Sequence, residues 1–152
     1  MPDSSTQLDT SRIPRHIALI MDGNGRWATR QGLPRLQGHF AGYKTLKNVV
    51  MAASDLGVKY LSAYAFSSEN WSRDESEVSG IFDLVHYALK AELDMMIEEG
   101  VKIIVSGRTD ELPAHVMEQF NKDIEATKDN TLITFNIALN YALIFGRWGC
   151  PE

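Results

Sequence analysis

Two short polar stretches carry the residue types that phosphate chemistry needs, Asp22-Gly23-Asn24-Gly25-Arg26-Trp27 and Ser67-Ser68-Glu69-Asn70-Trp71-Ser72-Arg73. In the first, two glycines let the backbone fold tightly and expose successive N–H groups, a nest suited to phosphate oxygens. Arg26 can add a pair of charge-assisted hydrogen bonds to the same oxygens. A helix starting here would turn its positive dipole end toward the anion. Asp22 is placed to ligate a Mg²⁺ that bridges to a diphosphate. A plain turn is the competing reading, since Asp-Gly and Asn-Gly are standard turn dipeptides.

In the second stretch, Ser72 and Glu75 have capping-box spacing, which reads as the start of a helix. Trp71 and Arg73 in a polar loop suit a lid over a ligand. Arg35 and His39 add cationic or donor groups soon after the first stretch, although each alone reads as a solvated surface residue. Together, the three arginines and Asp22 favour a phosphate site. Two other motifs fail. An EF-hand loop would need Gly where Trp27 stands and Glu where Leu33 stands. The stretch Gly38-His39-Phe40-Ala41-Gly42-Tyr43-Lys44-Thr45 approaches a P-loop, but its second glycine is one position early, Tyr43 interrupts Gly-Lys, and no strand precedes it.

The elements that must position these groups alternate along the chain. Apolar runs at Ile17–Met21, Lys59–Phe66, Val101–Ser106 and Leu132–Leu139 read as strands buried on both faces. Between them lie three helical patterns. One follows Gly38 and stops at Gly57, one runs from about Ser76 to Glu99, and one starts near Pro113. Strand–helix repetition of this kind predicts an α/β fold with a parallel sheet and right-handed crossovers. Ligands in such sheets bind beyond the carboxyl ends of the strands, where both polar stretches fall. The second helix carries two apolar stripes. Val78, Ile81, Phe82, Val85, Leu89 and Met96 form one, and Leu84, Ala88, Ala91 and Met95 the other. A helix so broadly apolar is either buried on several sides or lines a pocket for a long hydrocarbon.

At 152 residues, with 44% hydrophobic and 23% charged residues, the chain has the composition of one ordinary globular domain with its own core. The net charge of −5 argues against a general nucleic-acid binder. A single Cys150 excludes an internal disulfide framework and a cysteine zinc cage, so a reducing cytoplasm is the expected setting. No targeting segment and no membrane-length apolar run is visible. Residues 1–12 read as a mobile tail.

His16-Ile17-Ala18-Leu19-Ile20-Met21-Asp22-Gly23-Asn24-Gly25-Arg26-Trp27-Ala28 resembles the signature of the cis-prenyltransferases, the undecaprenyl diphosphate synthase family. Tyr64-Ala65-Phe66-Ser67-Ser68-Glu69-Asn70-Trp71 resembles its second signature, and Thr134-Phe135-Asn136-Ile137-Ala138-Leu139-Asn140-Tyr141 a third, weaker one. The resemblance implies a parallel sheet flanked by helices with an apolar tunnel, usually as a homodimer. It also implies an activity, Mg²⁺-dependent condensation of isopentenyl diphosphate with an allylic diphosphate such as farnesyl diphosphate, giving a cis-polyprenyl diphosphate. On this resemblance Asp22 is the metal ligand and an essential acid. Gly23, Asn24, Gly25, Arg26, Arg35 and His39 hold the allylic diphosphate. Trp27, Ser67, Ser68, Glu69, Trp71 and Arg73 line the substrate sites or a mobile loop.

Asn70 takes the family's position for proton removal. A neutral amide is a poor base, so orienting a diphosphate oxygen or water that takes the proton suits it better. Ile81, Leu84, Val85 and Ala88 would hold the growing chain, Glu77 could tether the lid, and the lipid product would bring contact with a membrane surface.

After Tyr141 the pattern departs. Where the family continues with Gly-Gly-Arg and its last third, this sequence runs Ala142-Leu143-Ile144-Phe145-Gly146-Arg147-Trp148 and ends at Glu152. The expectation is therefore a cis-prenyltransferase-like domain over 13–141, an incomplete fold lacking the last third, and an aberrant tail over 142–152. The final strand would then be left as a bare apolar edge. The chain is then an inactive or truncated enzyme, a non-catalytic partner of a complete subunit, or a phosphate-binding α/β fragment.

Overall fold

A computed structural model of the chain describes residues 7–141; residues 1–6 of the tail expected over 1–12 and the tail expected over 142–152 lie outside the described residues, as do the side chains of Ser68 and Glu69. The elements follow the order β1 (His16–Ile20), α1 (Asn24–Arg30), α2 (Arg35–Asp55), β2 (Tyr60–Ser67), α3 (Glu75–Glu98), β3 (Val101–Ser106), α4 (Ala114–Thr127) and β4 (Ile133–Tyr141). Short 3-10 turns at Thr10–Arg12, Ser68–Ser72 and Thr109–Glu111 complete the chain. The four strands form one parallel sheet in the order β1-β2-β4-β3. The expected α/β fold is therefore present.

Its details correct the sequence reading in four places. β4 is interior, paired with β2 on one side and β3 on the other, so the strand expected as a bare edge is the best covered; β1 and β3 are the edges. β1 is not buried on both faces. Its residues alternate in exposure, and Ile20 is 69% exposed. On that open face the sheet presents polar groups instead of a second apolar layer. His16 is hydrogen-bonded to Ser62 (2.9 Å), Asn136 Nδ2 donates to Ser62 Oγ (3.3 Å), and Ser106 Oγ donates to Asn136 Oδ1 (2.7 Å). This chain of side chains crosses all four strands and satisfies groups that an apolar cover would strand.

The other two corrections concern helix starts. α2 begins at Arg35, after Pro34, and runs straight through Gly38 and Gly42. A Cβ on Gly38 would collide with the Asn24 carbonyl, and one on Gly42 with the Asn24 side chain. The two glycines, four residues apart on one helix face, therefore let α1 lie directly on α2. Gly38 thus lies inside the helix expected to follow it, at a helix–helix contact. The cap of α3 is Asp74, whose carboxylate accepts from the Ser76 N–H (3.2 Å); Ser72 is taken up in the preceding 3-10 turn.

The core lies between the sheet and α2–α4. It is built from Val58, Leu61, Phe66, Phe82, Val101, Ile103, Val116, Phe120, Ile133 and Leu139, all nearly or fully buried. Among the polar groups buried in the fold, one carries a carboxylate. Asp123 of α4 is 0% exposed, its Oδ1 accepts from Gln119 Nε2 (2.8 Å), and its Oδ2 has no partner among the described residues. Burial pushes its carboxyl up to about 6, the Gln119 hydrogen bond opposing. Since the ordinary value is 3.8, the folded chain holds this proton more tightly than the unfolded chain, and stability falls as pH rises through that window. Asp123→Asn is expected to flatten this dependence and to stabilise the fold at neutral pH by about 1–2 kcal/mol. Urea unfolding on either side of the window measures both effects.

Candidate active site

At the carboxyl ends of β1 and β2 the two polar stretches come together. Gly23, at φ +90°, holds a left-handed conformation that favours glycine, and α1 starts at the next residue. The helix-start reading of this stretch therefore holds over the plain turn. Asp22, Gly23, Asn24, Gly25 and Arg26 form one rim of a cavity of about 470 Å³. Arg35 and His39, from the first two turns of α2, face them, and Asn70 and Arg73 enter from the segment before α3. The Arg35 guanidinium lies directly on Gly25, where any side chain would overlap it. The α1–α2 contact through Gly38 and Gly42 thus brings Arg26 and Arg35, distant from the second stretch in sequence, to one mouth.

Glu77, in the first turn of α3, organises that mouth. Its Oε1 accepts from Arg35 Nε (3.1 Å) and Arg73 Nη1 (3.1 Å) and pairs with His39 Nε2 (3.0 Å). The Glu77 side chain is only 13% exposed. Burial pushes its carboxyl up, but the hydrogen bonds from His39 and Arg35 and the charges of Arg35 and Arg73 outweigh it and hold the group below the usual glutamate value. One carboxylate therefore keeps three donors pointed at one place without neutralising all their charge.

The second stretch is locked from behind. The Asn70 side-chain oxygen accepts from the Ser67 N–H (3.0 Å). Trp71 packs edge-on against Phe66 and lies beside Phe82, with its indole N–H donating to Asn140 Oδ1 (2.8 Å). Asn140, at φ +52° and 1% exposed, also donates to the Arg108 carbonyl and to Glu111 Oε2 (both 3.0 Å). This one amide ties the end of β4 to the segments that follow β2 and β3. Sequence reading quoted Asn140 only as part of a signature, because its role depends on three segments meeting.

Beyond the mouth the cavity is mostly apolar. Ile81, Leu84, Val85 and Ala88 of α3 line it together with Leu46 and Val50 of α2, and Ile103, Phe135 and Ile137 form its floor on the sheet. Both α3 stripes reach the cavity: Ile81, Val85, Leu89 and Met96 of the first and Leu84, Ala88 and Met95 of the second border it, whereas Val78 and Phe82 are buried in the core away from it. Ala91, expected with them, is exposed. Trp27, Ser67 and Trp71 do not border the cavity. Three polar residues that do, Tyr43, Lys47 and Glu92, went unseen in sequence, where each reads as the solvated face of a helix.

Asp22 offers the mouth a carboxylate held only by an exposed ion pair to Arg26 (3.0 Å; side chains 75% and 65% exposed), a contact that is weak in water. No cluster of three acidic, histidine or cysteine ligands exists among the described residues. The donor set fits an ion of the Mg²⁺ kind, which takes one or two carboxylates and completes its shell with water and substrate phosphate. It does not fit an ion that needs a full protein cage.

Residues 20–145 match the protein family described as "Putative undecaprenyl diphosphate synthase". An isoprenyl transferase of Heliobacterium mobile is 47% identical over 148 residues, covering 97% of this chain and 56% of the relative. A ditrans,polycis-undecaprenyl-diphosphate synthase of Micrococcus luteus, (2E,6E)-farnesyl-diphosphate specific, is 46% identical over 137 residues, 90% of this chain and 55% of its own. The crystal structure of lavandulyl diphosphate synthase from Lavandula x intermedia, in complex with dimethylallyl diphosphate, superposes with a TM-score of 0.82 at 25% identity, covering 85% of this chain and 56% of that one. The chain thus spans about half the length of the relatives it matches. No described helix is long and apolar enough to cross a membrane.

Removal of the Glu77 carboxylate leaves Arg35, His39 and Arg73 without their shared acceptor. Glu77→Ala is expected to destabilise the fold by about 1–2 kcal/mol at neutral pH. Because the folded carboxyl titrates below its ordinary 4.5, its contribution is present above that value and disappears as pH falls through the folded one. Acid unfolding followed by circular dichroism should therefore show a shallower acid limb in the variant.

Proposed function

Because the chain belongs to the cis-prenyltransferase family, that of the undecaprenyl diphosphate synthases, we propose that its cavity takes an allylic diphosphate in that family's condensation with isopentenyl diphosphate. The observation that carries this reading is the join between a mouth of four cationic or donor side chains and an apolar cavity of about 470 Å³ behind it. A diphosphate fits the first and a hydrocarbon the second.

Arg26, Arg35 and Arg73 take up the negative charge that grows on the diphosphate as the allylic carbon–oxygen bond breaks. Arg35 and Arg73 are positioned beforehand by Glu77, and Arg35 also by Gly25, so little reorganisation of these two accompanies the step. His39 donates from the same side. Asp22 would hold a Mg²⁺, which neutralises charge on the diphosphate oxygens when bound. The alkene of isopentenyl diphosphate then attacks the allylic carbon and one proton is lost. The side-chain oxygen of Asn70 is committed to the Ser67 N–H, so Asn70 serves by orienting a diphosphate oxygen or water that takes this proton. Leu84, Val85, Ala88 and the sheet floor keep water from the hydrocarbon. Pairing of two copies, and contact with a membrane through the lipid product, belong to the same proposal.

Titration of the chain with farnesyl diphosphate, with and without Mg²⁺, tests the reading. Arg35→Ala is expected to weaken binding by roughly tenfold to a hundredfold, the loss of a bidentate charge-assisted contact. Asp22→Ala should abolish the Mg²⁺-dependent part of binding and any Mg²⁺-dependent turnover. Its fold should stay within about 0.5 kcal/mol of the parent, because Asp22 holds only an exposed ion pair. Equal binding of farnesol, or binding indifferent to both substitutions and to EDTA, would sink the proposal.

A further inference from the structure

The helices α2 and α3 form the solvent-side wall of the cavity, and the seam between them is closed by cross-links of two kinds. At the mouth Glu77 joins Arg35 and His39. Fifteen residues further along α3, about 22 Å at the helical rise, Glu92 takes both oxygens' worth of partners from α2. Tyr43 Oη donates to Glu92 Oε1 (2.5 Å), and Lys47 Nζ pairs with Glu92 Oε2 (2.8 Å). Between these points Leu36 lies against Gly80 and Phe40 makes a tilted contact with Tyr87 (6.3 Å), both rings partly exposed.

Tyr43, Lys47 and Glu92 also border the apolar cavity. We propose that these three side chains form a clasp that seals the α2–α3 seam against the hydrocarbon of a prenyl diphosphate and keeps that chain along the sheet floor. The inference rests on the cavity's occupant being such a molecule, as proposed above. An apolar seam would offer an apolar ligand no resistance, because aliphatic side chains exchange one hydrocarbon neighbour for another. A hydrocarbon entering here must instead separate a carboxylate from an ammonium and a phenol in a half-buried setting, leaving each without a partner. The clasp is therefore selective against the very ligand the cavity would hold. Glu92 and Tyr43 are in the required forms at neutral pH. Burial raises the Glu92 carboxyl, but the Lys47 and Tyr43 contacts outweigh it and keep the group ionised. Burial and the Glu92 contact push the Tyr43 hydroxyl far up, so it remains a donor.

The test compares inorganic diphosphate with geranyl, farnesyl and geranylgeranyl diphosphates, titrated with Mg²⁺ into the full chain and its variants. Glu92→Ala should leave inorganic diphosphate affinity unchanged and weaken farnesyl diphosphate about tenfold, through faster dissociation. Glu92→Gln keeps an acceptor for Tyr43 and should recover a large part of the loss. Tyr43→Phe and Lys47→Met, which change little volume, should each weaken it about threefold, and they carry the test should Glu92→Ala fail to fold. Farnesyl diphosphate binding that is equal in parent and variants overturns the clasp and leaves the proposed function standing. Binding of inorganic diphosphate with no gain from any prenyl chain overturns the clasp and the hydrocarbon cavity together. No binding of any of these by the parent overturns the proposed function, and the clasp with it.

Discussion

A single carboxylate oxygen, Glu77 Oε1, lies within hydrogen-bonding distance of Arg35, His39 and Arg73. Arg35 and His39 come from α2 and Arg73 from the segment before α3, and the two arginines so placed would otherwise repel one another. Glu77 makes their convergence stable, and everything proposed for the mouth depends on it. The arrangement is also economical in charge: one carboxylate set against two arginines and a histidine leaves a net positive mouth in a chain that carries −5 overall. A local field of this kind, focused in a concave site, is what draws an anion to an otherwise acidic protein.

The glycines Gly38 and Gly42 matter as much for a different reason. They are the point at which α2 has no side chains, and Asn24 occupies the space. Without that approach Asp22 and the start of α1, with Arg26, would stand off from Arg35. Glycine inside a helix costs about 1 kcal/mol in propensity each time, and here it is offset by a contact no other residue permits. At the opposite side of the mouth, Asn140 accepts a strained left-handed backbone and in return anchors Trp71, Arg108 and Glu111. The hydrogen bonds of this buried amide offset the strain of its backbone.

The open sheet face completes the picture. His16, Ser62, Asn136 and Ser106 join across four strands, while the face toward α2 and α3 is apolar throughout. The two faces thus have different chemistry even though the strands read alike in sequence. The cavity sits on the apolar face, between the sheet and the α2–α3 pair, and its polar closures at Glu77 and Glu92 both lie on α3.

Much of this was legible in the residues themselves. Alternation of apolar runs with helical patterns sufficed for a parallel α/β sheet, because strand and helix periods differ and each imposes its own spacing. Asp22 through Arg26, with Asn70 and Arg73, marked the mouth through local chemistry, and the double stripe of α3 announced a helix serving both core and cavity. Sequence could not distinguish a glycine that precedes a helix from one inside it that lets another helix approach, as at Gly38. Nor could it tell that Ile20 faces outward, that β4 is central, or that Lys47 and Glu92 meet across a seam. Those facts concern which elements are neighbours, and neighbourhood is decided by packing over the whole chain. Residue type and spacing determined what chemistry this protein could perform; only the tertiary structure decided which groups share a site, because a hydrogen bond at 3 Å depends on distance in space and not along the chain.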